Sequence, residues 1–234
     1  MSKYKYLLFD ADNTLFDFSQ AEYNSFKITC CKYYDSYSEE LYKTYSAIND
    51  SLWKQLEKGE IKLDFLKLER FRRLLTEKLG YTNDENTIEI ADKWRAEYME
   101  NLSCQSCLIQ GAEDICRSLS GKFKMYITTN GVAYIQKKRF TNSEIYKYFS
   151  GMFISEEIGA AKPSGKYFEY VLHTIGDDNK CDYLVIGDSL TSDCDGAINF
   201  GLDCCFYNPY GKSACGRNVK YNIGKLSELA DILA

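Results

Sequence analysis

Short apolar runs rich in β-forming residues recur at Tyr4–Phe9, Met125–Thr128, Met152–Ile154, Tyr183–Ile186 and Cys204–Tyr207, and most precede a stretch with apolar positions at helical spacing. Strand followed by helix, repeated, predicts a parallel α/β sheet. The first two runs lie over a hundred residues apart, whereas a simple strand-helix-strand unit takes about 30. The gap reads as helical throughout: SQAEYNSFKITCCKYY, EELYKTYSAINDSLWKQLEKG, KLDFLKLERFRRLLTEKLG and NTIEIADKWRAEYMENL, with Gly59 and Gly80 where helices should end. The pattern predicts a core of residues 1–18 and 104–234 interrupted by a four-helix insertion over 19–103, with hinges near 17–20 and 103–111. No internal repeat or low-complexity tract is present, and Pro163 and Pro209 are the only prolines.

The chain has 234 residues, 45% of them hydrophobic, which is ample for a sizeable core plus a second small domain. A formal net charge of −5 without a basic stripe argues against nucleic acid as a polymeric partner. The N-terminal apolar run breaks at Asp10, too early for a signal peptide or a membrane span, so a cytoplasmic protein with no membrane partner is expected. Ten cysteines then read as reduced thiols used as small hydrophobes. Cys104-x-x-Cys107 lacks the second pair or the nearby histidine that a metal site would need. The single histidine, His173, falls in an apparent amphipathic helix, YFEYVLHTI, where a structural role is expected. If the chain is an enzyme, its acid and base are expected to be carboxylates.

In an open parallel sheet, ligands bind beyond the carboxyl ends of the strands. The first strand ends in Asp10-Ala-Asp12-Asn-Thr14, the second in Thr128-Thr129-Asn130-Gly131, and the fourth in Gly187-Asp188-Ser189 with Asp193 beyond; Lys162 follows the third. Taken singly, each has a structural explanation as a loop cap, a turn or a helix entry. Together they bring carboxylates, hydroxyls and a lysine to one rim. Side chains two apart on an extended segment point the same way, so Asp10 and Asp12 are expected to face that rim together. Oxygen ligands without nitrogen or sulfur suit a hard cation, and Mg²⁺ is the usual one where a few carboxylates share it with phosphate. DADNTL is no EF-hand loop, because Leu15 stands at its sixth position and Ala21 at its twelfth.

Asp10-x-Asp12-x-Thr14, Thr129, Lys162 and Gly187-Asp188-x-x-x-x-Asp193, with a helical insertion after the first motif, resemble the haloacid dehalogenase (HAD) superfamily of phosphatases. The resemblance implies a Rossmann-like α/β core with an inserted four-helix cap. FDADNTLFDF, LWKQLEKGEI, TTNG, ISEEIGAAKP and GDSLTSD look like its pyrimidine 5′-nucleotidase branch. What the resemblance implies is a Mg²⁺-dependent phosphomonoesterase acting on a small-molecule phosphate monoester through an aspartyl-phosphate. Asp10 would be the nucleophile and a metal ligand. Asp12 would act as acid and then base, its backbone carbonyl on the metal. Thr129 and Asn130 would hold the phosphoryl group, Lys162 would neutralise it, Asp188 would complete the metal ligands, and Asp193 would support from behind. Asp195 matches no motif position and reads as a solvated helix residue. Asp12 argues against the carbon–halogen-cleaving members, which typically lack it. A phosphatase for phosphoglycolate or a sugar phosphate, a phosphomutase, or a non-catalytic phosphate-binding module are the alternatives. In the insertion, Phe18, Tyr45 and Trp53 are candidates to stack on a base or to fill the bundle core, and Lys58-Gly59 could project toward substrate.

Overall fold

Leu7, Leu8 and Phe9 are consecutive and all fully buried, which requires a strand covered on both faces. The computed structural model, which describes residues 3–34 and 37–234, builds that strand into the middle of a six-stranded sheet. Its strands are β1 (Tyr6–Phe9), β2 (Lys124–Thr129), β3 (Gly151–Ile154), β4 (Tyr183–Gly187), β5 (Asp203–Tyr207) and β6 (Tyr221–Ile223), in the order β3-β2-β1-β4-β5-β6. Every neighbouring pair is parallel. The helices are α1 (Phe18–Tyr33), α2 (Glu39–Glu57), α3 (Leu63–Glu77), α4 (Glu85–Ser103), α5 (Ala112–Leu119), α6 (Ala133–Thr141), α7 (Ser155–Ile158), α8 (Gly165–Ile175), α9 (Asp195–Phe200) and α10 (Leu229–Ile232). The parallel α/β architecture with helices inserted after the first strand agrees with the sequence pattern. Two details differ. β1 starts at Tyr6 because Tyr4, though buried, turns its hydroxyl to Asp203 at 2.8 Å. β6 went unpredicted because only Ile223 of its three residues is buried, too little to make an apolar run.

The period of two along the strands sorts residues to two layers. Leu7, Phe9, Met125, Ile127, Leu184 and Ile186 pack with α5 and α10; Leu8, Val185, Cys204 and Phe206 pack with α8 and α9. Complete burial of each large apolar side chain contributes about 1.5–3 kcal/mol relative to exposure.

The chain divides into two compact units, one comprising the residues up to Phe18 with Ser106–Ala234, the other Ser19–Gln105. Within the first, the departing and returning segments run side by side: Phe16 bridges Leu108, and the Asp17 amide donates to the Cys107 carbonyl at 3.0 Å. The second unit is helical. Ser38 and Asp84 accept from Leu41 and Thr87 amides and so start α2 and α4. Tyr45 does not face solvent there; it is fully buried, stacked 4.5 Å from Phe26 and 5.4 Å from Phe71, beside Trp94 and Tyr98. Trp53 is half-buried, and Lys58 and Gly59 are exposed. No helix among the described residues is long and apolar enough to cross a membrane. All ten cysteines are free thiols, with Cys104 and Cys107 exposed.

Candidate functional site

β1 lies between β2 and β4, the point at which successive connections run to opposite sides of the sheet, and this opens a crevice at its carboxyl end. Asp10 is the first residue past the strand, its amide donating to the Ile186 carbonyl at 2.8 Å. From the other side of the crevice comes Lys162, which precedes α8 and is anchored through its backbone. Its amide donates to Asn130 Oδ1 at 2.9 Å, and its carbonyl accepts from Asn130 Nδ2 at 2.8 Å. The side chain is 1% exposed, and Nζ donates to Asp10 Oδ1 at 2.7 Å, Asp193 Oδ1 at 2.6 Å and the Thr128 carbonyl at 2.8 Å. All three ammonium hydrogens are committed.

Asp193 reaches this position from a π-helical turn, Leu190–Cys194, with its other oxygen accepting from the Ser189 amide at 3.1 Å. The fit depends on Gly187. A Cβ there would lie 2.2 Å from Asp193 Oδ2, so only glycine lets the carboxylate rest against the end of β4. Asp10, Asp188 and Asp193 each place an oxygen within 4.8 Å of the others. Thr14, fully buried, sits at the edge of this group, its hydroxyl 3.5 Å from Asp188 Oδ1. Thr129 Oγ1 accepts from the Gly131 amide at 3.0 Å.

Three carboxylates face one ammonium, and the imbalance shows in their proton affinities. Burial, reinforced by Asp193 and Asp188, outweighs Lys162 and pushes Asp10 well above the usual carboxylate range. Burial, followed by the Asp193 charge, raises Asp188 to about 7. Burial alone would lower Lys162, but Asp10 and Asp193 override it and hold the ammonium above its ordinary value. An all-oxygen donor set with surplus negative charge fits a divalent metal such as Mg²⁺.

Asp12 stands apart from this group. β1 ends at Phe9 and the chain turns immediately: Leu15 and Phe16 amides both donate to the Ala11 carbonyl, Asn13 has φ 59°, and Ala11 is fully buried while Asp12 is half-buried. The Asp12 carboxylate instead accepts from Gln136 Nε2 at 2.5 Å and pairs with Arg139 Nη1 at 2.5 Å. Neither partner was singled out in the sequence; the available signal was a polar pair at i, i+3 on the helix that follows Thr129-Asn130-Gly131. Away from the site, His173 is exposed on α8 rather than part of a core. Asp195 is half-buried rather than solvated, holding Arg217 by two bonds of 2.7 and 2.9 Å.

The model of the haloacid dehalogenase-like hydrolases matches residues 4–201. The chain belongs to this family. It is 36% identical to the HAD-hydrolase YfnB of Bacillus subtilis, over all of this chain and 97% of that one. It is 35% identical to the pyrimidine 5′-nucleotidase PynA of Streptococcus pneumoniae, over 88% of this chain and 85% of that one. It is 29% identical to the pyrimidine 5′-nucleotidase YjjG of Escherichia coli, over 99% and 98%. A crystal structure of the Bacillus protein, bound to magnesium, superposes with a TM-score of 0.89 at 35% identity, covering 98% of each chain. Family membership accounts for the strand-end carboxylates and the buried lysine as parts of hydrolase machinery.

Proposed function

We propose that this chain is a Mg²⁺-dependent phosphomonoesterase of the cytoplasm that hydrolyses nucleoside 5′-monophosphates, with a preference for pyrimidines, through an aspartyl-phosphate on Asp10. The observation that carries the reading is the buried Lys162 ammonium holding Asp10 at the sheet's switch point beside Asp188 and Asp193. The nucleotide preference is supported by the two relatives named as pyrimidine 5′-nucleotidases, and the compartment by the free thiols.

Asp10 attacks phosphorus in line, forming the aspartyl-phosphate as the bond to the leaving oxygen breaks. Asp10 attacks as the anion, a form that the Lys162 ammonium and a bound divalent cation would favour against the burial that raises its proton affinity, so no separate base is required. Asp12, entering the cycle protonated, gives that proton to the departing alkoxide and then takes one from the water that hydrolyses the intermediate, so each turnover returns both residues to their starting state. The Thr129 hydroxyl, held by the Gly131 amide, receives the phosphoryl oxygens together with the Asn130 amide, and Lys162 offsets their charge. Asp10, Asp188 and the Asp12 backbone carbonyl would hold the cation, which would supply the positive charge that reconciles a carboxylate nucleophile with a phosphate dianion. Asp193 steadies Lys162 and adds a carboxylate behind the metal position.

The test is phosphate release across pyrimidine and purine monophosphates, sugar phosphates and phosphoglycolate, with Mg²⁺ and with chelator. Pyrimidine nucleotides are expected to lead the panel, activity to vanish with chelator, and Asp10→Asn to reduce turnover by at least about 10⁴-fold while folding normally. A sugar phosphate or phosphoglycolate leading would reassign the substrate. Undiminished turnover by the Asp10 variant would remove the nucleophile.

A further inference from the structure

Gln136 and Arg139 lie three residues apart on α6, and each serves a different oxygen of Asp12: Gln136 Nε2 the Oδ2 and Arg139 Nη1 the Oδ1. Both are buried, 2% and 0% exposed, although each has a long polar side chain that ordinarily stays in water. Burying a guanidinium is costly unless its charge is answered, and Asp12 answers it across 127 residues of sequence. The guanidinium carbon also lies 5.0 Å from the centre of the Phe16 ring and 5.8 Å from that of Phe18, favourable cation–π separations. Gly131 gives Gln136 its path. A Cβ at 131 would fall 2.1 Å from Gln136 Nε2 and 2.8 Å from its Cδ, so the amide lies directly across the loop after β2.

The strand-end carboxylates are thus divided in two. Asp10, Asp188 and Asp193 converge on one position, and Asp12, only two residues from Asp10, is drawn away by two donors from a single helix face. Left to electrostatics alone, a fourth carboxylate so close in sequence would be attracted to any cation held there.

We propose that Gln136 and Arg139 are positioning residues for Asp12, a two-pronged clamp that keeps its carboxylate off the metal position and available for proton transfer to the leaving group. The inference rests on the phosphomonoesterase reading above. A clamp with this task has a signature that mere stitching of the loop lacks: loss of Asp12 alignment weakens protonation of the leaving oxygen, and that protonation matters only when the leaving group is a strong base.

The experiment compares kcat/KM for the best nucleoside 5′-monophosphate, whose alkoxide needs a proton, with that for p-nitrophenyl phosphate, whose phenolate departs without one. Because kcat/KM covers steps only through departure of the leaving group, the later role of Asp12 in hydrolysing the intermediate does not enter. Gln136→Leu is expected to lower kcat/KM on the nucleotide by about 10- to 100-fold and on the aryl ester by less than about threefold. The isosteric Gln136→Glu, which cannot donate while ionised and repels Asp12, is expected to give the same split, and Arg139→Lys, which keeps the charge but not the planar fork, a milder one. Equal losses on both esters in the folded variants would overturn the clamp and leave the phosphatase reading standing. A wild-type protein that turns over neither ester would overturn that reading and the clamp with it.

Discussion

Glu22, on α1 of the helical unit, offers a test of the energetics that is independent of activity. It is 6% exposed, its carboxylate accepting from Asn49 Nδ2 at 2.7 Å and from the Tyr42 hydroxyl at 3.2 Å, with Arg70 near enough to attract it and Asp50 to repel it. Burial outweighs the Arg70 charge and these hydrogen bonds, and raises its pKa from the usual 4.5 to about 7. The folded state therefore binds the proton more tightly than the unfolded chain. This favours folding fully below about pH 4.5, and the advantage is lost progressively as pH rises to about 7 and is gone above it. At about 1.4 kcal/mol for each pH unit, the displacement corresponds to about 3 kcal/mol. Glu22→Gln mimics the protonated acid: its carbonyl can accept from Asn49 and its amide can donate to the Tyr42 oxygen. The variant should match the wild type near pH 4 and exceed it by up to about 3 kcal/mol at pH 8. Both tryptophans of the chain, Trp53 and Trp94, lie in the helical unit, so their fluorescence during urea unfolding reports that unit directly. With a urea dependence of about 1.5 kcal/mol per molar, the midpoint difference should grow by about 2 M between pH 4 and pH 8. A difference that stays flat across that range would refute the assignment of a buried, proton-retaining Glu22.

The site's own balance of charge is open to similar tests. Lys162→Met leaves Asp10 and Asp193 buried without their ammonium and should destabilise the core unit by about 3–5 kcal/mol in urea unfolding, with Mg²⁺ recovering part of the loss; unfolding unchanged from wild type would contradict the observed ion pairs. Gly187→Ala must displace Asp193, so it should cost about 1–3 kcal/mol and raise the Mg²⁺ concentration needed for half-maximal activity; an unaltered Mg²⁺ requirement would show that Asp193 does not contribute to the cation site.

Much of this was legible in the chain because the signals were local. β1, β4 and β5 each carry enough consecutive buried apolar residues to show as runs, and the four long helices advertise themselves by periodicity and by terminal glycines such as Gly59 and Gly80, both at positive φ. Motif residues at strand ends could be located from the strands alone. What stayed hidden depends on residues distant in sequence. Gln136 and Arg139 look like an ordinary solvated face of a short helix. They are buried only because Asp12, Phe16 and Phe18 arrive from the other end of the chain. Asp195 looked solvated for the same reason, since Arg217 comes to it across the loop beyond β5.

Asp12 shows how much of a site lies in partners that spacing does not name. Alternation along an extended chain places residues two apart on one face, and that rule holds within β1, where Leu7 and Phe9 share a layer and Leu8 takes the other. Beyond Phe9 the strand has ended, and the Ala11 carbonyl closes a turn by accepting from both Leu15 and Phe16. Past that turn the two carboxylates meet different partners, with Lys162 answering Asp10 and Arg139 answering Asp12. Each carboxylate thereby acquires its own counter-charge. That difference in partners underlies the separate tasks proposed for the two aspartates.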